Sequence, residues 1–154
     1  MPAFEVDVPA GWTMGHRHPE YIDFFSGQYA SVAFGRFQTV HSSEAARAPI
    51  TTASGMLATL QSNPDLAITD LGPTAMAGLS GRMFELRATA AHTSIFDGGD
   101  GTFHLDPGFS ARYEAFDLPS GGVLLVAFIT KDGELEAFIA TATPIAASFR
   151  IVSP

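Results

Sequence analysis

Seven consecutive apolar residues, Val123-Leu124-Leu125-Val126-Ala127-Phe128-Ile129, constrain this chain more than any other feature. Gly121-Gly122 precede the run and Lys131-Asp132-Gly133 close it, so it reads as a strand between two turns. A strand that is apolar on both faces must be covered on both, which places it at the centre of a sheet. After Gly133 the apolar residues fall at Leu135, Phe138, Ile139, Ala142, Ile145, Ala146 and Phe149. That three-four spacing marks one face of a helix. Pro144 lies inside it, removing one backbone hydrogen bond and crowding the carbonyl of Ala140. A ~3 kcal/mol proline penalty is smaller than the burial of several large side chains at ~1.5–3 kcal/mol each, so the helix is kept.

Upstream, the pattern is of short strands in succession. Phe4–Val8 alternates and ends at Pro9-Ala10-Gly11, with Trp12 following as an anchor. Tyr21–Phe25 is an aromatic strand, and residues 29–40 read as one longer strand in which Gly35 marks a bulge or a close approach. Thr51-Thr52 can cap a helix through Met56, Leu57 and Leu60 that stops by Asn63-Pro64. Short strands are expected at 66–69 and 75–77. The turn Gly78-Leu79-Ser80-Gly81 leads into an alternating strand at 82–90, and residues 94–108 form a glycine-rich irregular stretch. Ala111–Leu118 alternates again and should pair antiparallel with the central run. About six or seven strands joined by short turns, with one helix mid-chain and one at the end, make an α+β fold on an antiparallel sheet. No repeat or linker divides residues 1–154, which read as a single domain.

Two segments resemble a known family. Pro64-Asp65-Leu66-Ala67-Ile68-Thr69 and Met76-Ala77-Gly78-Leu79-Ser80-Gly81-Arg82-Met83-Phe84-Glu85 resemble the turn and hairpin pattern of small bacterial Mog1/PsbP-like domains. The opening Val8-Pro9-Ala10-Gly11-Trp12 and the closing Ser148-Phe149-Arg150 are similar to that group as well. The resemblance implies an α-β-α arrangement around a curved antiparallel sheet, often found in exported proteins and lipoproteins of high-GC bacteria. It implies no catalytic residues, because the group shares no active site, and the members that bind a GTPase or a photosystem do so through surfaces not identifiable in this chain.

Composition limits the function classes. With 46% hydrophobic and 16% charged residues the chain has the makings of a core, not of a disordered segment. Its formal net charge of -8 repels polyanions, which argues against nucleic acid as a partner and against an anionic membrane surface. Seven of the eight basic residues are arginine, which with the abundant alanine suggests a GC-rich bacterial genome. The absence of cysteine excludes disulfides and thiolate chemistry. No run approaches the ~18 apolar residues of a membrane span. No signal peptide precedes Phe4, so the protein is expected to be cytoplasmic as written, or exported with its signal outside these residues.

Few residues suggest chemistry. His16 and His18 alternate and could face one metal ion, and Asp97 and Asp100 in the glycine-rich stretch could add oxygen ligands. The segment Asp97-Gly98-Gly99-Asp100-Gly101 lacks the spacing and closing glutamate of an EF-hand, and the better reading of both segments is solvated. His41 and His92 stand alone in the sequence. Asp7, Asp23, Glu85 and Glu114 lie in strand-like segments and could pair across the sheet. There is no nucleophile elbow, and no cofactor is implied. The 13 phenylalanines are mainly core, yet such rings also build pockets. A pocket between the sheet and residues 94–108 would draw on Trp12, Tyr21, Phe96, Phe103 and His104. The expected function is a non-catalytic binding or accessory domain for a protein or small molecule. The alternative is a small enzyme or ligand carrier using that aromatic pocket.

Overall fold

The computed structural model describes residues 4–98 and 101–152. In chain order the first elements are β1 (Phe4–Glu5), β2 (Thr13–His18), β3 (Tyr21–Phe25), β4 (Ser31–Gly35), β5 (Thr39–His41) and β6 (Arg47–Pro49). Helix α1 (Ala53–Gln61) follows, then β7 (Leu66–Met76), β8 (Leu79–Ala88), β9 (Thr93–Gly98) and β10 (Gly101–Leu105). The chain closes with β11 (Phe109–Asp117), β12 (Val123–Lys131), α2 (Leu135–Ala147) and β13 (Arg150–Ile151).

Strand β12 is the middle of a seven-stranded antiparallel sheet ordered β2-β3-β4-β12-β11-β8-β7. Its antiparallel neighbour on one side is β11, with Tyr113 opposite Ala127. On the other side is β4, with Ala33 opposite Ala127. The reason for the unbroken apolar run is now plain, because both faces of β12 are covered. Val123, Leu125 and Ala127 enter one core with α1 and the second sheet, while Leu124, Val126 and Phe128 enter another under α2. The result is the expected α+β arrangement, with a helix on each side of the sheet.

Both helices start and stop for local reasons. At the head of α1 the Thr52 hydroxyl accepts the Gly55 N–H at 3.1 Å, and the Asp117 carboxylate accepts that of Ala53 at 2.7 Å. Two of the orphan donors of the first turn are thereby satisfied. Helix α2 buries Leu135, Phe138, Ala142, Ile145 and Ala146, and carries Pro144 on its exposed side. Phe149, just beyond its end, stacks on Phe34 and Phe4 at 5.7 and 5.2 Å between ring centroids. β1 and β13 pair with each other there, and their strand is shorter than the expected Phe4–Val8.

Three expectations change where long-range contacts decide. Residues 29–40 form two strands in two sheets: β4 belongs to the large sheet, and after Gly35 the chain crosses to β5 in a small sheet ordered β10-β9-β5-β6. The short strands at 66–69 and 75–77 are one strand, β7, continuous through a register shift between Asp70 and Gly72. That bulge and Pro73 interrupt the outer edge, as sheet edges commonly require. Residues 94–98 and 101–105, expected as irregular, are instead the paired strands β9 and β10. Among the described residues no helix is long and apolar enough to cross a membrane, which says nothing of β-barrel spans.

Candidate functional site

The crossing from β4 to β5 carries the chain off the large sheet and leaves one flank of that sheet without a helix over it. The small sheet overhangs this flank. Between β2–β3 and the β9–β10 hairpin lies an open cleft of about 650 Å³.

Its floor is aromatic. The Phe103 ring lies 4.8 Å from that of Tyr21 and meets Phe37 edge-on at 4.7 Å. Phe37 in turn stacks on Phe96 at 5.2 Å, and Phe96 meets Tyr113 edge-on at 5.4 Å. Such tilted and offset contacts suit the ring quadrupoles. The rings approach because residue 35 has no side chain: a Cβ there would come within 3.0 Å of both Phe37 and Tyr21. Beneath the floor only about 20 Å³ of space remains, bounded by Phe96 and Tyr113 among others.

One wall carries a buried carboxylate. Asp23 lies on β3 among aromatic neighbours and is only 3% exposed. Its Oδ1 accepts the His16 N–H at 2.6 Å, and its Oδ2 accepts the Tyr21 hydroxyl at 2.9 Å. His16 Nδ1 lies 3.3 Å from Oδ2, and its imidazole is otherwise open to solvent. Burial and, after it, the adjacent Asp23 carboxylate push the Tyr21 phenol far above its ordinary pKa, so it stays a donor. The strand β2 bulges over this carboxylate between Met14 and Arg17. Gly15 permits the crossing, since a Cβ there would sit 2.3 Å from Asp23 Oδ1 and 2.2 Å from the Phe25 ring.

The opposite wall is the hairpin, and Asp97 ties it down. Its carboxylate accepts from Thr39 and Thr102 hydroxyls at 2.7 Å each, from Arg47 at 2.8 Å and from His41 Nε2 at 3.0 Å. Burial alone would raise its pKa, but those four hydrogen bonds outweigh burial and hold it well below the usual carboxylate range.

The structure therefore sorts the residues singled out from the sequence. Tyr21 and Phe103 line the cleft, with His16 and His18 on its wall. Phe96 lies under the floor. Trp12 is on the far face of the sheet, 5.9 Å from the Phe138 ring and packed against the core under α2. His104 turns outward, its Nδ1 3.1 Å from the His92 carbonyl oxygen and 3.4 Å from the Ser94 hydroxyl. Asp97 is turned toward His41 and Arg47, and Asp100 lies outside the described residues. Among the described residues no three histidine or carboxylate groups converge as a metal set. The other strand carboxylates meet cations: Glu85 meets Arg112, and Asp7 meets Arg150. Glu114 is half-buried, and desolvation raises its pKa against the pull of Arg112.

Among the cleft residues that escaped the sequence reading as a site are Asp23, Phe37 and Arg36. Asp23 had a signal, because a lone carboxylate inside Tyr-Ile-Asp-Phe-Phe must be buried and satisfied. The others had none, since only the chain crossing brings them to one place.

No protein-family model and no curated protein matches this chain. Solved structures do. LpqN of Mycobacterium tuberculosis, involved in cell envelope biogenesis, is 14% identical with a TM-score of 0.54, covering 99% of this chain and 85% of its own. The cyanobacterial PsbP of Synechocystis sp. PCC 6803 is 12% identical with a TM-score of 0.45, covering 97% of this chain and 86% of that one. A crystal structure from Bacteroides thetaiotaomicron is 10% identical with a TM-score of 0.42, and the chain spans 45% of its length. The likeness to LpqN is one of fold. The fold is the α+β arrangement on an antiparallel sheet expected from the sequence, and it is shared with LpqN. Its flank cleft is aromatic below and polar at the walls.

Proposed function

We propose that residues 1–154 act as one non-catalytic binding domain whose ligand is a small molecule seated in the flank cleft. The observation that carries this reading is the aromatic floor of Tyr21, Phe37 and Phe103, whose rings line a cleft open to solvent. Apolar concavities with a few oriented polar groups are the usual form of small-molecule sites. Asp23 supports a binding role, because its acceptors are taken by His16 and Tyr21 and serve to hold the wall in place. LpqN has this fold and is involved in cell envelope biogenesis. An accessory role at the envelope is the setting we propose for this chain too.

The test uses the neutral probe 2-naphthylmethanol and amide chemical-shift mapping. Expected are shifts clustered at 15–23, 35–37 and 101–103, lost in Phe103→Ala. Shifts scattered over the surface, or none at millimolar probe, overturn the reading. Fractionation of cells expressing the full-length gene product tests the setting, which a wholly cytosolic protein would contradict.

A further inference from the structure

We infer that the occupant of this cleft is a flat aromatic molecule bearing a hydroxyl, of the phenol or naphthol type, whose O–H is accepted by Nε2 of His16. The inference rests on the cleft being a ligand site and adds the polar group its occupant brings. It starts from the β2 bulge. Met14 stands opposite Phe24 and Arg17 opposite Ile22, so Gly15 and His16 together face the single residue Asp23. That extra residue sets His16 against the Asp23 carboxylate with two holds. Its backbone N–H donates to Oδ1 at 2.6 Å, and its ring Nδ1 lies 3.3 Å from Oδ2. Oδ2 also accepts the Tyr21 hydroxyl at 2.9 Å, and the Tyr21 ring lies 4.8 Å from that of Phe103. One carboxylate therefore ties the imidazole to the edge of the aromatic floor.

The same carboxylate decides which ring nitrogen is free. Asp23 already accepts from a backbone N–H and a hydroxyl, and a carboxylate has no hydrogen to offer, so Nδ1 carries the ring hydrogen. In the neutral imidazole Nε2 is then a lone-pair acceptor. No hydrogen bond reaches it among the described residues, and the His16 side chain is 80% exposed where it lines the cleft. A ring this exposed adds little to the core, and Asp23 is satisfied without it, so its fixed orientation serves an occupant. A hydroxyl on the rim of a ring seated on Tyr21 and Phe103 is the complement of that acceptor. Glu20 also lines the cleft and is the competing acceptor, which the experiment must separate from His16.

Titration calorimetry of the whole protein at pH 8, above the ordinary imidazole range, compares 2-naphthol with its methyl ether 2-methoxynaphthalene, which keeps the rings and loses the O–H. Naphthol should bind about three- to tenfold tighter, the net scale of one hydrogen bond. His16→Ala, its fold checked by amide spectra, should bring naphthol down to the affinity of the ether. Glu20→Gln should keep the preference. In Asp23→Asn the amide can donate to Nδ1 and move the ring hydrogen to Nε2, so the preference should disappear although His16 remains. Nitrogen-15 spectra of the free wild type should show His16 as the Nδ1–H tautomer. Equal affinity for naphthol and ether, a preference that survives His16→Ala, or an Nε2–H tautomer overturns the donor inference while the cleft stands. If neither compound binds, the cleft reading falls and this one with it.

Discussion

At the residue scale, two positions hold conformations or charges that their surroundings impose. Ala77 has φ 49° and Gly78 φ 80°, the positive pair of a tight hairpin turn between β7 and β8. Alanine in the left-handed region is strained by its Cβ, whereas asparagine tolerates it and Asn-Gly is the preferred pair for this turn. Ala77 is exposed, so Ala77→Asn should raise stability by about 0.5–1 kcal/mol, read as a higher urea midpoint at unchanged m-value. A lower midpoint would mean the turn is set by something other than these dihedrals. Asp97 is the second case. Its folded pKa lies below the ~3.9 of an unfolded aspartate, so its stabilising contribution is complete above pH ~4 and drains away as the pH falls further. Urea midpoints measured from pH 7 to pH 3 should therefore fall more steeply in the wild type than in Asp97→Asn. Parallel curves would show that the four hydrogen bonds to this carboxylate add nothing to folding.

At the scale of elements, legibility followed sequence distance. β12 and its covering helix could be read because each carries its environment in its own pattern: apolar on two faces, or on one helical stripe. Thr52 as the cap of α1 was equally local. The split of 29–40 was not, since Tyr29 to Val40 has no break except Gly35, and only the small sheet tells β5 where to pair. The β9–β10 hairpin was hidden for a similar reason: glycines suggest a loop, while the register Phe103 opposite Phe96 is set by packing on Phe37. The candidate site inherited both gaps, so its two ends were visible as Tyr21 and Phe103 but not their meeting. Trp12 was misplaced because an anchor residue shows its size in the sequence and not its side of the sheet. The element easiest to test is the end of α2. Phe149 is 5% exposed and stacked between Phe4 and Phe34, so Phe149→Ala should cost about 3–5 kcal/mol and loosen the β1–β13 pair. A loss under about 1 kcal/mol in denaturant melts would place that ring outside the core.

At the scale of the whole molecule, one sheet separates two cores, and stability should grade outward from its centre. β12 is hydrogen-bonded on both edges and covered on both faces, so its amides can open only when the molecule unfolds. The β9–β10 hairpin differs: β10 is an outer strand with one neighbour, and the described contacts fastening it are the Asp97 cluster and the rings under Phe103. Native-state hydrogen exchange should show Leu124, Val126 and Phe128 exchanging at the global unfolding free energy and the hairpin amides through a smaller local opening. The hairpin is also one wall of the cleft. A ligand that bridges it to β3 is released when the hairpin opens, so it should raise the hairpin's protection by the full linkage term, RT ln(1 + [L]/Kd), the same increment seen at β12. With 2-naphthylmethanol at saturating concentration, hairpin and β12 amides should gain protection by equal increments, and Asp97→Asn should lower both alike, because its contacts break in either opening. Hairpin amides already as protected as those of β12 would mean that the wall is part of the rigid core and that ligands enter a cleft that does not breathe.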